Sequence, residues 1–344
     1  MELIKVLIVD DSLLSRELLA NLLRRDPAIQ VVGMATNGVE AVNMTRDLKP
    51  DLITMDIFMP EMNGFQAIEH IMAYNPTPIL VITSSVVKDG IDITFKALEL
   101  GALDLIEKPA HAYGPEMTQK GKDLVEKVKL LSRIKVIRHI RGKRRKLAPK
   151  PSERLPGEQR SILAVASSTG GPKALHQIFS ELPRDFPAGI VVVQHMSEGF
   201  VKGMTEWINM ESKISVREAK DGERVVPGTA LVAPGGRHMT VGQHRFIRLI
   251  DDPPLQGHRP SGTVLLESVA QNFGPQAVGL ILTGMGSDGA RGMKAIKENG
   301  GYTIAQDEKT SVVYGMPKAA VDMGAIDEVL PLERIPDELC KLFY

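Results

Sequence analysis

At 344 residues, with 43% hydrophobic and 24% charged side chains, the chain has the composition of a soluble globular protein and the length of about two domains. Its one cysteine, Cys340, excludes an internal disulfide, and no apolar run reaches the ~20 residues that cross a bilayer. The N-terminus shows no signal-peptide layout, so a cytoplasmic protein without membrane insertion is expected. The net charge of zero hides a segregation: residues 1–126 carry 11 basic and 19 acidic side chains, residues 127–152 carry 11 basic and none acidic, and residues 153–344 carry 20 and 23.

Residues 1–126 alternate short apolar strands, predicted at Ile4–Val9, Val31–Met34, Leu52–Met55, Ile79–Thr83 and Asp104–Ile106, with amphipathic stretches such as Leu13–Arg24. That alternation predicts a parallel sheet covered on both faces, whose ligands sit at the carboxyl ends of the strands. Those ends carry Asp10 and Asp11, Asp56, Thr83-Ser84 and Lys108-Pro109. Three carboxylates in one crevice repel each other unless a cation joins them, and an all-oxygen site with open positions suits Mg²⁺. Lys108 and Thr83 would then hold the oxygens of an anion bound at Asp56. Taken singly, Asp10 and Asp11 read equally as caps of the following helix.

Residues 127–158, with Arg141-Gly-Lys143-Arg144-Arg145-Lys146 and three prolines at 149, 151 and 156, read as an exposed basic linker. Attraction to its own acidic N-terminal domain or to an acidic partner is the expected use of that charge, and no nucleic-acid partner is expected.

In residues 159–344 strands are predicted at Ile162–Ala166, Ile190–Val193, Ala230–Ala233, Ala277–Leu282 and Tyr302–Ala305. Helices are predicted at Lys173–Leu182, Phe200–Asn209, Val264–Gln271 and Asp288–Asn299. Turn residues at Val226-Pro-Gly, Ala233-Pro-Gly-Gly and Val241-Gly-Gln-His suggest a β-hairpin insertion. The first strand runs into Ser168-Thr169-Gly170-Gly171, a turn that presents a hydroxyl above the sheet and aims free N–H groups beside it. The second ends on His195, and a glycine-rich turn carries Asp288. Serine, histidine and aspartate on neighbouring strand ends supply a nucleophile, a base and an orienting carboxylate in any chain order. The turn alone fits a phosphate cradle as well, and Asp288 reads equally as the cap of the helix it opens.

These residues carry two resemblances. Residues 1–126 resemble a response-regulator receiver domain, with Asp56 in Met55-Asp56-Ile57-Phe58-Met59-Pro60 matching the phospho-accepting aspartate, Asp10 and Asp11 the acidic pair, Thr83 the switch hydroxyl and Lys108 the lysine before proline. The resemblance implies Mg²⁺ held by Asp11, Asp56 and the Phe58 carbonyl beside Asp10. Leu105 stands where many receivers place an aromatic switch residue. Ser168-Thr-Gly-Gly-Pro172, Gln194-His195-Met196, Leu282-Thr-Gly-Met-Gly-Ser-Asp288-Gly-Ala290 and Thr310-Ser-Val-Val-Tyr-Gly315-Met-Pro-Lys318 resemble the motifs of the chemotaxis protein-glutamate methylesterases. That family implies Ser168 as nucleophile, His195 as base, Asp288 as its orienting carboxylate, and Thr169 and Met285 at the oxyanion, with no cofactor in this domain. It implies methyl-ester hydrolysis on methyl-accepting chemoreceptors, accompanied by glutamine deamidation, under control of a chemotaxis histidine kinase. Ser197 and Gly262-Thr263 depart from the usual Pro and Val-Asp. The expected fold is α/β throughout: a flavodoxin-like (βα)5 receiver, then a doubly wound parallel-sheet domain with the hairpin insertion. A DNA-binding regulator and a non-catalytic adaptor are the rival functions.

Overall fold

A computed structural model describes residues 3–83, 93–108, 119–136 and 160–344 of the chain, and these fall into two compact units. Ser84, Pro109 and residues 137–158 of the expected linker lie outside the described residues. No helix among the described residues is long and apolar enough to cross a membrane.

The N-terminal unit alternates β1 (Ile4–Val9), α1 (Leu13–Leu23), β2 (Ile29–Ala35), α2 (Gly38–Leu48), β3 (Leu52–Met55) and α3 (Gly64–Tyr74). It continues through β4 (Ile79–Thr83), α4 (Lys96–Glu99), β5 (Asp104–Glu107) and α5 (Gln119–Leu131). All five strands pair in parallel in the order β2-β1-β3-β4-β5. The chain therefore reverses direction across the sheet between β1 and β3, and the carboxyl ends of those two strands open a crevice. Fully buried runs such as Val6–Val9 and Leu52–Met55 explain why these strands read as unbroken apolar segments.

The boundary expected at residue 126 falls inside α5, which runs on to Leu131. Leu124, Val125, Val128 and Leu131 repeat at helical spacing and are buried, and Lys127 pairs with Asp104 of β5. The basic run that begins at Lys127 reads as linker and cuts that apolar stripe in two.

The C-terminal unit begins with β6 (Ile162–Ser167), α6 (Gly171–Glu181), β7 (Gly189–Gln194), α7 (Glu198–Glu211), β8 (Ser215–Glu218) and β9 (Thr229–Val232). A two-stranded antiparallel hairpin, β10 (His238–Val241) and β11 (Ile247–Ile250), interrupts the alternation as expected. Then come α8 (Gly262–Phe273), β12 (Ala277–Ile281), α9 (Ala290–Glu298), β13 (Tyr302–Gln306), α10 (Met316–Asp322), β14 (Glu328–Leu330) and α11 (Ile335–Phe343). Seven parallel strands order as β14-β13-β12-β6-β7-β9-β8.

Two of the seven were not predicted. Edge strands β8 and β14 are only partly buried and keep polar residues such as Arg217, Glu218 and Glu328, so neither forms an apolar run. Around the central β6, by contrast, Ala164 and Ala166 pack against Leu265, Leu266, Val269 and Ala270 of α8, and hairpin residues Met239, Val241 and Ile247 complete the same cluster. Burying a side chain of this size stabilises by about 1.5–3 kcal/mol. The helix whose N-terminus reaches the site is therefore firmly seated. The chain reverses between β6 and β12, and ligand-binding loops are expected at that pair of strand ends.

Candidate active sites

In the N-terminal unit, Asp10, Asp11 and Asp56 bring one carboxylate oxygen each to within 4.8 Å of one another. Backbone bonds explain the convergence: Asp56 N–H donates to Val9 O at 2.9 Å, and Arg16 donates to the carbonyls of Asp10 and Asp11 at 2.7 and 3.0 Å. The Lys108 ammonium lies 2.7 Å from both Asp10 and Asp56. Burial alone would lower its pKa, but the two carboxylates more than reverse that and raise it. Burial dominates at Asp10 and pushes its carboxyl above the usual range despite Lys108.

Asp10 Oδ2 is buried and accepts no well-directed hydrogen bond, although Lys108 stands at 2.7 Å. One ammonium thus incompletely compensates a cluster of carboxylates, and the donor set fits a hard divalent cation. Thr83 is buried at the end of β4, Phe58 is half-buried in the loop after Asp56, and Leu105 is buried. Asp10 and Asp11 do not cap α1: Ser12 does, accepting from Ser15 N–H.

In the C-terminal unit, Ser168 follows β6, His195 follows β7, and Asp288 precedes α9. His195 Nε2 lies 2.8 Å from Asp288 Oδ2. Asp288 is 1% exposed, yet its carboxylate accepts from three further donors: Ser261 Oγ at 2.7 Å, Gly262 N–H at 2.6 Å and Thr263 N–H at 3.0 Å. All three come from the N-terminus of α8, where unsatisfied N–H groups and the helix dipole favour an anion. Burial would raise the Asp288 pKa, but the partners His195, Ser261 and Thr263 hold the carboxyl well below the usual carboxylate range.

The cap reading is thus corrected: the N-cap of α9 is Gly289, which has no side-chain bond, and Asp288 accepts instead from the first N–H groups of α8, whose own N-cap is Ser261. Gly289 N–H donates instead to Thr263 Oγ1 at 2.8 Å, closing the same turn. His238 of the hairpin ties in too, accepting from Ser261 N–H at 3.1 Å. The α8 donors escaped the sequence reading because two of them are backbone groups 25–26 residues away.

Ser168 is 8% exposed and is held by its backbone: its N–H donates to Thr283 O at 3.0 Å and its carbonyl accepts from Gly171 N–H at 2.8 Å. His195 N–H donates to Ser167 O at 3.0 Å, which sets the imidazole beside the serine turn. His195 Nδ1, the nitrogen not used by Asp288, is buried and makes no hydrogen bond. Nucleophile–base bonds are often loose before substrate binds.

Gly284 abuts the serine, since a Cβ there would stand 2.8 Å from Ser168 Cβ. This places Met285, 37% exposed, at the same cleft. The Thr310–Lys318 motif proves to be scaffold: Gly284 O accepts from Gly315 and Met316 N–H at 3.1 and 2.9 Å, and Thr283 Oγ1 accepts from Val313 N–H at 2.9 Å.

A receiver-type sheet with an acid crevice, followed by a doubly wound sheet with Ser, His and Asp at its switch point, defines a two-domain class that joins a phosphorylation module to a serine-hydrolase-like domain. Family models match in the same order: "Response regulator receiver domain" matches residues 6–114, and "CheB methylesterase" matches residues 163–339. The "Protein-glutamate methylesterase/protein-glutamine glutaminase 2" of Anaeromyxobacter dehalogenans is 44% identical over 341 residues, covering 98% of this chain and 97% of that one. A relative of the same activity name from Pyrococcus horikoshii is 42% identical over 345 residues, covering 98% and 93%. The crystal structure of the Thermotoga maritima CheB methylesterase catalytic domain is 40% identical, with a TM-score of 0.52, and covers 54% of this chain and 99% of that one. The chain belongs to the CheB methylesterase family.

Proposed function

We propose that this protein is a phosphorylation-regulated protein-glutamate methylesterase that also deamidates glutamine, acting in the cytoplasm on methyl-accepting chemoreceptors. The observation that carries the reading is the pair of buried Asp288 and half-buried His195 beside the Ser168 turn at the switch point of the second sheet. In this mechanism Asp288 accepts the Nε2 proton of His195, leaving Nδ1 as the basic nitrogen. Ser168 Oγ attacks the γ-carbonyl of a glutamyl methyl ester while Nδ1 takes its proton. The N–H groups of Thr169 and Met285 receive the developing oxyanion, a kind of donor whose loss costs about 100–1000-fold in rate. His195 returns the proton to the departing methoxide, and methanol leaves. Water activated by His195 then releases the glutamate. With a glutamine side chain the same steps release ammonia.

Regulation enters through Asp56, whose carboxylate attacks the phosphoryl group donated by a chemotaxis histidine kinase. Asp10, Asp11, Asp56 and the Phe58 carbonyl are the groups that would hold Mg²⁺, which when bound neutralises phosphoryl oxygens. Lys108 and Thr83 bind the phosphoryl oxygens, so Lys108 must exchange its present carboxylate partners for the new anion. The unphosphorylated receiver restrains the esterase domain, and phosphorylation releases it.

Methanol release from methylated receptor membranes, with and without a small acyl phosphate, tests this. Ser168→Ala should abolish release, and Asp56→Asn should abolish only its stimulation. An adaptor without catalysis would show no Ser168-dependent methanol at all.

A further inference from the structure

Gln194, the last residue of β7, is 2% exposed and its side-chain amide is fully engaged. Its Oε1 accepts from Ser167 Oγ at 2.7 Å, while Nε2 donates to Ser168 O at 2.9 Å and to His195 O at 3.0 Å. Only one amide orientation satisfies these partners, because two carbonyls demand the NH₂ and the hydroxyl can serve the oxygen. The Ser168 carbonyl is thereby pinned by two donors, Gln194 Nε2 and Gly171 N–H.

In a trans peptide the C=O and the following N–H point in opposite directions. Holding Ser168 O against the buried amide therefore turns Thr169 N–H the other way, and no described hydrogen bond uses that N–H. The same amide holds the carbonyl of His195, so one planar group fixes the strand end bearing the serine against the strand end bearing the imidazole. The fit is tight: a Cβ on Gly171 would stand 2.0 Å from Gln194 Oε1 and 2.9 Å from Ser167 Oγ, so α6 can close over the amide only with glycine there.

We infer that Gln194 is a positioning residue for acyl transfer, acting through the Ser168–Thr169 peptide to aim the Thr169 N–H at the oxyanion and through His195 O to set the serine–imidazole spacing. The inference rests on the methylesterase reading of this cleft. Gln194 itself touches no substrate. A mere packing role would lower the amount of folded protein and leave the kcat of the remainder unchanged.

The test uses the full-length protein with acyl phosphate, measuring kcat and KM for methanol release together with thermal midpoints, for wild type, Gln194→Glu, Gln194→Met and Ser167→Ala. Gln194→Glu keeps the shape and the Ser167 bond, and as the protonated acid that burial favours it has one O–H for two carbonyls, so at least one of them loses its donor. Its kcat should fall about 10- to 100-fold with KM within about threefold, the signature of an interaction made in the transition state. Gln194→Met should lose as much without introducing charge, and Ser167→Ala, which spares both donors, should stay within about threefold of wild type. Folded Gln194→Glu with kcat within about threefold of wild type overturns the inference, as does a rise in KM alone or an equal loss in Ser167→Ala. If Gln194→Met does not fold, Gln194→Glu decides. Wild type that releases no methanol overturns the methylesterase reading first, and the inference with it.

Discussion

Asp288→Asn keeps the shape of the side chain and removes its charge, which isolates the electrostatic part of the network around His195. The carboxylate accepts from four donors, two on each oxygen: Ser261 Oγ and Thr263 N–H on one, Gly262 N–H and His195 Nε2 on the other. An amide has only one accepting end, so whichever way it lies, a buried backbone N–H faces an NH₂ group. Orphaning that N–H costs about 1–3 kcal/mol, which lowers the melting midpoint of this domain by about 2–12 °C. During catalysis the imidazolium formed by proton transfer would meet a neutral oxygen in place of a carboxylate. A charge-assisted bond is worth about 1.5–3 kcal/mol, and at 1.36 kcal/mol per decade its loss lowers kcat about 10- to 150-fold. If the NH₂ lies toward His195, it also forces the proton onto Nδ1 and removes the base, and the loss approaches about 10⁴-fold. Methanol release under saturating phosphodonor and a melting curve read both effects. A folded Asp288→Asn variant with kcat within about threefold of wild type would refute the assignment of Asp288 as the group that orients and stabilises the imidazole.

Acid stability follows from the same site: the depressed Asp288 pKa stabilises the fold fully above the unfolded value of about 3.9, and that contribution fades as pH falls below it toward the folded value. Urea midpoints of wild type and Asp288→Asn should therefore differ most above about pH 5 and converge in stronger acid; a gap constant with pH would contradict the linkage. Gly262→Val would place its Cβ 2.7 Å from Ala166 Cβ on the central strand. The start of α8 must then shift and draw Gly262 N–H from Asp288, costing about 1–3 kcal/mol of stability and about tenfold or more in kcat; wild-type turnover in that variant would show that the contact is relieved elsewhere. In the receiver, Lys108→Met strips the ammonium from two buried carboxylates and should lower the melting midpoint of the N-terminal unit. That loss should shrink as the pH is lowered, because protonating Asp10 removes the uncompensated charge; a pH-independent loss would mean that Lys108 acts through packing.

The reach of the sequence reading divides along a physical line. Side chains on strand ends were legible where the structure pairs them, because a parallel sheet sends every carboxyl end to one rim and the order of strands decides which ends are neighbours: Asp10, Asp56 and Lys108 in one unit, His195 and Asp288 in the other. What stayed hidden is carried by backbone groups or by residues without an apolar signal. The N–H groups of Gly262 and Thr263 that hold Asp288 belong to no residue type, and half-buried β8 and β14 present polar residues to solvent. Gln194 stood inside a recognised motif, yet its role depends on two carbonyls whose direction only the folded chain defines. The same distinction decides what the unusual Gly262-Thr263 pair means. Because both residues serve Asp288 through their N–H groups, a change of side chain acts on the site indirectly, through how closely α8 approaches Ala166 and how Gly289 is held. Departures at these positions therefore bear on the fit of α8 beneath the carboxylate, and through that fit on how its N–H groups meet Asp288.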